Sequence, residues 1–170
     1  MSTLSTTSAP AERWKPSVTV AAIIERDGRF LLVEEETSEG LRLNNPAGHL
    51  DPGETPVQGC IREALEETTH HFTPTALLGI YMSRTVRADG YDVTYLRMAF
   101  KGDLGEVVED ARLDKGIVRT IWMTPEEIRA TAHLHRSPLV VQCMEDHLSG
   151  RSVPLEFVYT DPSVLTGSVA

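Results

Sequence analysis

The sequence predicts an α+β fold, a mixed β-sheet flanked by helices. Three observations carry the prediction. Five short stretches are rich in β-branched and aromatic residues, three segments open with helix-start signals, and the two kinds do not alternate as βαβ units. The predicted order is β-β-α-β-β-β-α-α. Residues 17–24 are almost wholly apolar, which suits a buried strand, and Asp27-Gly28 is a hairpin turn leading into a second strand at 30–33. Glu34, Glu35 and Glu36 read as a solvated strand end or loop. Asn44-Asn45-Pro46-Ala47-Gly48 and Asp51-Pro52-Gly53 read as an irregular loop.

A helix then begins at Thr55. Pro56 suits its first position, and Gln58 completes a T-x-x-Q capping box, with the helix running to about Thr69. Strands follow at 77–82 and 93–100, around a hairpin that contains Asp89-Gly90, and again at 117–123. Thr124-Pro125-Glu126-Glu127 is a second capping box, opening a short helix to about Ala132. Ser137-Pro138 opens the last helix, and Gly150 stops it.

One domain at 14–159 accounts for these elements, with polar, Ser/Thr/Ala-rich tails at 1–13 and 160–170 expected to be disordered. The 170 residues carry 16 basic and 25 acidic side chains, a formal −9. That balance argues against long nucleic-acid partners and anionic membranes. The longest apolar run, 18–24, is far short of the roughly 18–20 residues of a membrane helix. Residues 1–11 have neither a basic n-region nor an apolar h-region, so they are not expected to act as a secretory signal, and Cys60 and Cys143 form no metal or disulfide pattern. They read as reduced, buried thiols, and a cytoplasmic location is expected.

On a wheel of about 100° per residue, Val57, Cys60, Ile61, Ala64, Leu65 and Thr68 share one arc of the first helix. Glu63, Glu66 and Glu67 gather on the other side, with Arg62 at the edge and Gly59 leaving space over the preceding turn. Carboxylates on adjacent turns repel. Two readings account for them: a solvated acidic face relieved by Arg62, or a divalent-cation site, since hard ions such as Mg²⁺ or Mn²⁺ prefer clustered oxygen ligands.

The upstream spacing bears on the choice. Gly48, five residues, Glu54, seven residues and Arg62-Glu63-Ala64-Leu65-Glu66-Glu67 form a long gapped pattern. It resembles the Nudix box, G-x5-E-x7-R-E-U-x-E-E-x-G-U, where U is a bulky aliphatic. Ala64, Thr69 and His70 depart from it. Threonine adopts poorly the left-handed conformation in which the motif glycine ends the helix, so the helix is expected to run on or end differently. The resemblance extends over roughly residues 14–157, through segments such as Trp14-Lys15-Pro16, Asn45-Pro46-Ala47-Gly48-His49-Leu50 and Arg136-Ser137-Pro138, which look like the NudJ-type phosphatases.

The resemblance implies a Nudix fold, an α/β/α sandwich, and Mg²⁺-dependent (or Mn²⁺-dependent) hydrolysis of phosphoanhydride bonds. The substrates it implies are small nucleoside tri- and diphosphates or pyrimidine and thiamine pyrophosphates. Glu63, Glu66 and Glu67 would bind the ion with the Ala47 carbonyl, and Glu63 or a neighbouring carboxylate would act as general base. Glu54 and Arg62 would pair to orient the ligands. For a further acidic ligand from a later loop the candidate is Asp114, with Glu109 and Asp110 behind it.

Substrate contacts are sought at Arg84, Arg87 and Arg97, whose guanidinium groups suit phosphate. Asn44, Asn45, His49 and the stacking faces of Tyr81, Tyr91 and Tyr95 are further candidates. His70-His71 and His133-x-His135 lack the one-turn spacing of a metal clip. A catalytically inactive Nudix-fold nucleotide-binding or regulatory module is the alternative, although it would be expected to lose box carboxylates, and none is lost. An RNA-end hydrolase fits poorly with −9 and no Lys/Arg stripe. The last helix, with Leu139, Val140, Met144 and Leu148, either covers the sheet or pairs with a second subunit, so a monomer and a homodimer are both compatible.

Overall fold

The computed structural model describes residues 13–166. Most of the expected N-terminal tail and residues 167–170 lie outside it. At 160–166 the chain makes an exposed 3-10 turn, Pro162–Val164, capped by the Asp161 side chain.

Seven strands and three α-helices form the described domain: β1 (Ser17–Arg26), β2 (Arg29–Thr37), β3 (Gly40–Asn44), β4 (Ala47–His49), α1 (Pro56–Thr68), β5 (His70–Val86), β6 (Asp92–Val107), β7 (Ile117–Met123), α2 (Pro125–Ala130) and α3 (Leu139–Leu148). The sheet is mixed. β1 runs parallel to β6, antiparallel to β4 near its start, and antiparallel to β2 at its end. β2 lies between β3 and β7, and β5 closes the far edge against β6. Among the described residues no helix is long and apolar enough to cross a membrane.

The near-continuous apolar run of β1 is explained by burial on both faces. Ala21 and Ile23 join one core with Leu78, Ala99, Ile128 of α2 and Val140, Cys143 and Met144 of α3. Val20, Ala22 and Ile24 join the other, with Cys60 and Ala64 of α1, Phe72, Phe100 and Leu104. Helices thus cover both faces of the sheet, as the α/β/α expectation has it. The two cysteines are buried and free, one in each core, and α3 covers the sheet.

Two expectations need correction. The stretch around Asn44–Gly48 is irregular only at Asn45 and Pro46: Asn44 ends β3, which pairs with β2, and residues 47–49 pair with residues 19–21 of β1, while Asp51-Pro52-Gly53 is the turn expected. Backbone pairing overrides the turn chemistry of Asn44 and Gly48. The central strands are also longer than predicted. The strand expected at 77–82 extends over His70–Val86 as β5, an edge strand that takes Pro74 and Gly79 at register shifts, where a missing N–H or side chain is tolerated.

Both predicted capping boxes form. The Thr55 hydroxyl accepts from the Gln58 N–H at 3.1 Å while Gln58 Oε1 accepts from the Thr55 N–H at 2.8 Å, and Thr124 with Glu127 repeats the arrangement. At its other end α1 does not run on. Thr69 adopts the left-handed conformation (φ 61°, ψ 16°) that threonine disfavours. Its N–H donates to Leu65 O and its carbonyl accepts from Val108 N–H, both at 2.8 Å, and these bonds hold the strained residue in place.

Candidate active site

α1 lies against β4, and the contact is close because Gly48 has no side chain. A Cβ there would fall 2.2 Å from the Glu63 carboxylate. One turn on, Glu67 Oε2 accepts from the Ala47 N–H at 2.8 Å. Glu63 and Glu67 therefore face β4 rather than water, which corrects the expectation of an acidic face opposite the apolar arc. The Cys60-Ala64-Thr68 and Glu63-Glu67 stripes lie side by side in one covered arc, leaving Ile61 on the outer side at 38% exposure. Glu66 is the open member of the triad, its side chain 44% exposed against 12% for Glu63.

Arg62 ties the cluster together. Nε and Nη2 donate to the two oxygens of Glu54 at 3.0 and 2.7 Å, forming the ion pair expected from sequence. Nη1 donates to Glu63 Oε1 at 2.7 Å and Glu66 Oε2 at 3.0 Å, and Nη2 also reaches the His49 carbonyl at 2.9 Å. The space left by Gly59 is taken by Glu54, whose Oε1 would lie 2.7 Å from a Cβ there.

The electrostatics divide the carboxylates. The Arg62 hydrogen bonds hold Glu54 below the usual carboxylate range, and the same bonds raise Arg62. Burial lifts Glu63 in spite of Arg62. Glu67 is pushed up to about 8, first by burial and then by the negative charges of Glu63, Glu35 and Asp114. Asp114 is held at this end of α1 by its own N–H, which donates to Glu66 O at 2.8 Å. Glu109 and Asp110 are exposed.

Among the described residues no three Asp, Glu, His or Cys side chains converge as a ready metal cage. Arg62 Nη1 instead lies between Glu63 and Glu66. The donor set nevertheless suits a hard divalent cation. It is all oxygen, and several carboxylates near Glu67 repel one another with too little positive charge to balance them.

A cleft of about 270 Å³ lies beside this cluster, with Ala47, Gly48 and His49 in its wall. Arg97, Tyr91 and Tyr95 line it from β6 and its hairpin, Asn44 from β3 and His135 from the turn before α3. Arg97 is only 7% exposed. The Tyr91 and Tyr95 hydroxyls hydrogen-bond to each other, and Arg87 stands at the rim paired with Asp89.

Other candidates lie elsewhere. Arg84 is outside the cleft, paired through two bonds with Asp92, because the alternation of β5 sends Ser83 and Thr85 inward and Arg84 outward. Asn45 is buried but does not line the cleft; its neighbour Asn44 does. Tyr81 is a core residue that donates to Asp146 at 2.9 Å. His71 and His133 are exposed, and His70 is engaged with the Thr68 carbonyl.

Three residues here were not singled out by sequence. Glu35 joins the acidic cluster because, within the Glu34–Glu36 run, strand alternation separates it from its neighbours; Glu34 pairs outward with Arg119 at 2.8 Å. Thr19 lines the cleft, and its signal is a lone hydroxyl in the buried apolar run of β1. His135 is the buried member of its pair, which the sequence does not distinguish from His133.

The NUDIX domain matches residues 13–143. Phosphatase NudJ of Escherichia coli (strain K12) is 35% identical over 145 residues, 85% of this chain and 92% of that protein. Phosphatase NudJ of Shigella flexneri matches to the same extent, at 35% over 145 residues. A NUDIX hydrolase structure from Nitrosomonas europaea aligns with a TM-score of 0.81 and 48% identity, covering 86% of this chain and 98% of that one. The solution structure of the E. coli ORF135 protein shares the fold, with a TM-score of 0.60 at 22% identity over 79% of this chain and 90% of that one.

Proposed function

This chain belongs to the NUDIX hydrolase family and acts on anhydride bonds in small phosphorus-containing compounds, and we propose that it does so as a Mg²⁺-dependent (or Mn²⁺-dependent) enzyme. We infer that its substrates are nucleoside tri- and diphosphates or pyrimidine and thiamine pyrophosphates. The observation that carries the reading is the close seat of Glu63 and Glu67 on Ala47 and Gly48, beside a cleft in whose wall the same two residues stand.

Glu63, Glu66 and Glu67 would hold the cation, with the Ala47 carbonyl and Asp114 beside them. Once bound, the ion supplies positive charge to the phosphate oxygens and lowers the pKa of the attacking water. The chain's own residues do the rest. Glu54 holds Arg62 at two points, and Arg62 fixes Glu63 and Glu66 in turn, so the ligands are oriented before substrate arrives. The proton of the attacking water goes to a carboxylate. Glu63 or a neighbouring carboxylate, held in place by the Arg62 network, would receive it. The phosphate chain reaches them from the cleft over Gly48, where a larger residue would displace Glu63.

The test is a panel of nucleoside tri- and diphosphates and pyrimidine and thiamine pyrophosphates, assayed for orthophosphate and pyrophosphate with Mg²⁺, with Mn²⁺ and with EDTA. Turnover is expected only with a divalent ion, and Glu66→Gln or Glu67→Gln should each lower kcat by at least about 100-fold. Full activity in both variants would refute the metal assignment. Turnover of nothing on the panel would refute the substrate assignment.

A further inference from the structure

The deep end of the cleft holds a group that hydrolysis at the carboxylates does not use. Arg97 is 7% exposed, and its Nε and Nη1 have no hydrogen-bond partner. Three more buried polar atoms in the same cleft lack partners: Thr19 Oγ1, Asn44 Oδ1 and His135 Nδ1. They come from separate elements. Thr19 stands beside Arg97 in the parallel β1–β6 register, Asn44 ends β3, and His135 is bridged to Leu43. Native interiors leave few buried polar groups unsatisfied. Four such residues converging on one cleft point to a ligand that completes them.

The chemistry of that ligand follows from the lining. Apart from Ala47, no aliphatic side chain lines the cleft, whereas four arginines do. Arg42, Arg87 and Arg136 each have a carboxylate partner, Glu39 at 3.5 Å, Asp89 at 2.9 Å and Glu35 at 3.9 Å. Arg97 feels Glu35 and Glu67 only through space. A buried guanidinium is expensive to leave unpaired, and its planar donor set matches phosphate.

We propose that the Arg97 end of the cleft is a phosphate-recognition subsite. Arg97 and Thr19 donate to a phosphoryl group that the α1 carboxylates do not hold, and Asn44 Oδ1 and His135 Nδ1 accept from a P–OH or an adjacent hydroxyl. The proposal rests on the hydrolase reading and narrows it. The substrate is held at two phosphoryl groups, one at the α1 carboxylates and one at the Arg97 end, and Arg97 selects for the one remote from the carboxylates.

The subsite can be tested without the cation. In EDTA, inorganic phosphate and pyrophosphate are titrated into the full-length protein while the Arg97 Nε–H resonance, assigned through its own side chain, is followed. The resonance should shift saturably. By calorimetry Arg97→Lys should bind pyrophosphate about 10–100-fold more weakly, the range expected for a lost charged hydrogen bond, and leave adenosine binding unchanged. Glu66→Gln, which removes a negative charge that repels phosphate, should bind pyrophosphate in EDTA at least as tightly as the parent. Loss of turnover in that variant therefore tests the metal site separately. An unmoved Arg97 resonance, or undiminished pyrophosphate binding by Arg97→Lys, would overturn the proposal and leave Arg97 as an internal counter-ion of Glu35 and Glu67. Weakened binding of adenosine alone would overturn it too, by assigning this end of the cleft to the organic group.

Discussion

Replacing Gly48 with alanine should separate the stability of this fold from its activity. The new Cβ would lie 2.2 Å from the carboxylate carbon and both oxygens of Glu63. An ordinary contact needs at least about 3.4 Å, so the carboxylate must retreat by roughly 1 Å. It is the far end of a flexible side chain, and for the fold the retreat is cheap. Gly48 has no positive φ among its backbone angles, and alanine in its place restricts the unfolded chain, a gain of about 0.4–1 kcal/mol that opposes the clash. For the site the retreat is costly. It stretches the 2.7 Å bond from Arg62 Nη1 and moves a proposed ligand or base by a distance that costs on the order of 100-fold in rate. The assay is kcat/KM for a nucleoside triphosphate with Mg²⁺, read beside the melting temperature. Gly48→Ala should lose about 100-fold in kcat/KM with Tm changed by no more than about 4 °C. Activity within threefold of the parent would refute the reasoning, because Glu63 would then not need its observed seat. A large fall in Tm would refute it differently, by showing that β4 yields before the side chain does.

Thr69→Gly should raise Tm by about 2–4 °C, since relief of the left-handed threonine, discounted for the added freedom of the unfolded chain, leaves about 1 kcal/mol. Thermal unfolding checks this, and an unchanged or lower Tm would mean that the bonds through Thr69 outweigh its strain. Glu54→Gln should cost about 1–3 kcal/mol at neutral pH by removing the charged partner of Arg62. Because the folded state holds Glu54 below its ordinary pKa, its contribution is complete above the usual carboxylate range and lost as pH falls through the depressed value. The Tm gap between variant and parent should therefore close in acid, and a gap independent of pH would assign the loss to shape rather than charge.

What the sequence disclosed, it disclosed through local rules. The capping boxes at Thr55 and Thr124, the Asp27-Gly28 turn and the apolar run of β1 are each decided within a few residues, and the structure contains each. The box residues were legible because their spacing fixes a loop, a cap and a helix at once. Strand β4 was not legible. Three residues form it, and only the β1 backbone opposite makes a strand of them. Long-range packing likewise decided the faces of α1. Reading α1 by polarity sets Glu63 and Glu67 opposite Cys60 and Ala64, whereas β4 covers the two stripes side by side, which the helix sequence alone does not reveal. Arg84 and Arg97 illustrate the same limit. Both are strand arginines, one turned out to Asp92 and the other into the cleft, and residue type alone does not distinguish them.

The formal charge of −9 conceals an arrangement of opposite local fields. Glu63 and Glu67 stand against β4 with Glu66 and Asp114 near them, and an arginine-lined cleft lies beside them, with Ala47 and Gly48 common to both. Close-range interactions, not net charge, decide what such a surface binds. A phosphate chain spanning the two would be attracted at the Arg97 end and repelled at the carboxylates until a cation neutralised them. Under the proposed function, the same carboxylates that repel one end of the substrate in a metal-free site, while the Arg97 end still attracts the other, position that end once the site is loaded. The small residues of β4 are what allow this, because each added carbon would widen the gap between the two fields, and at Gly48 the first such carbon already meets Glu63.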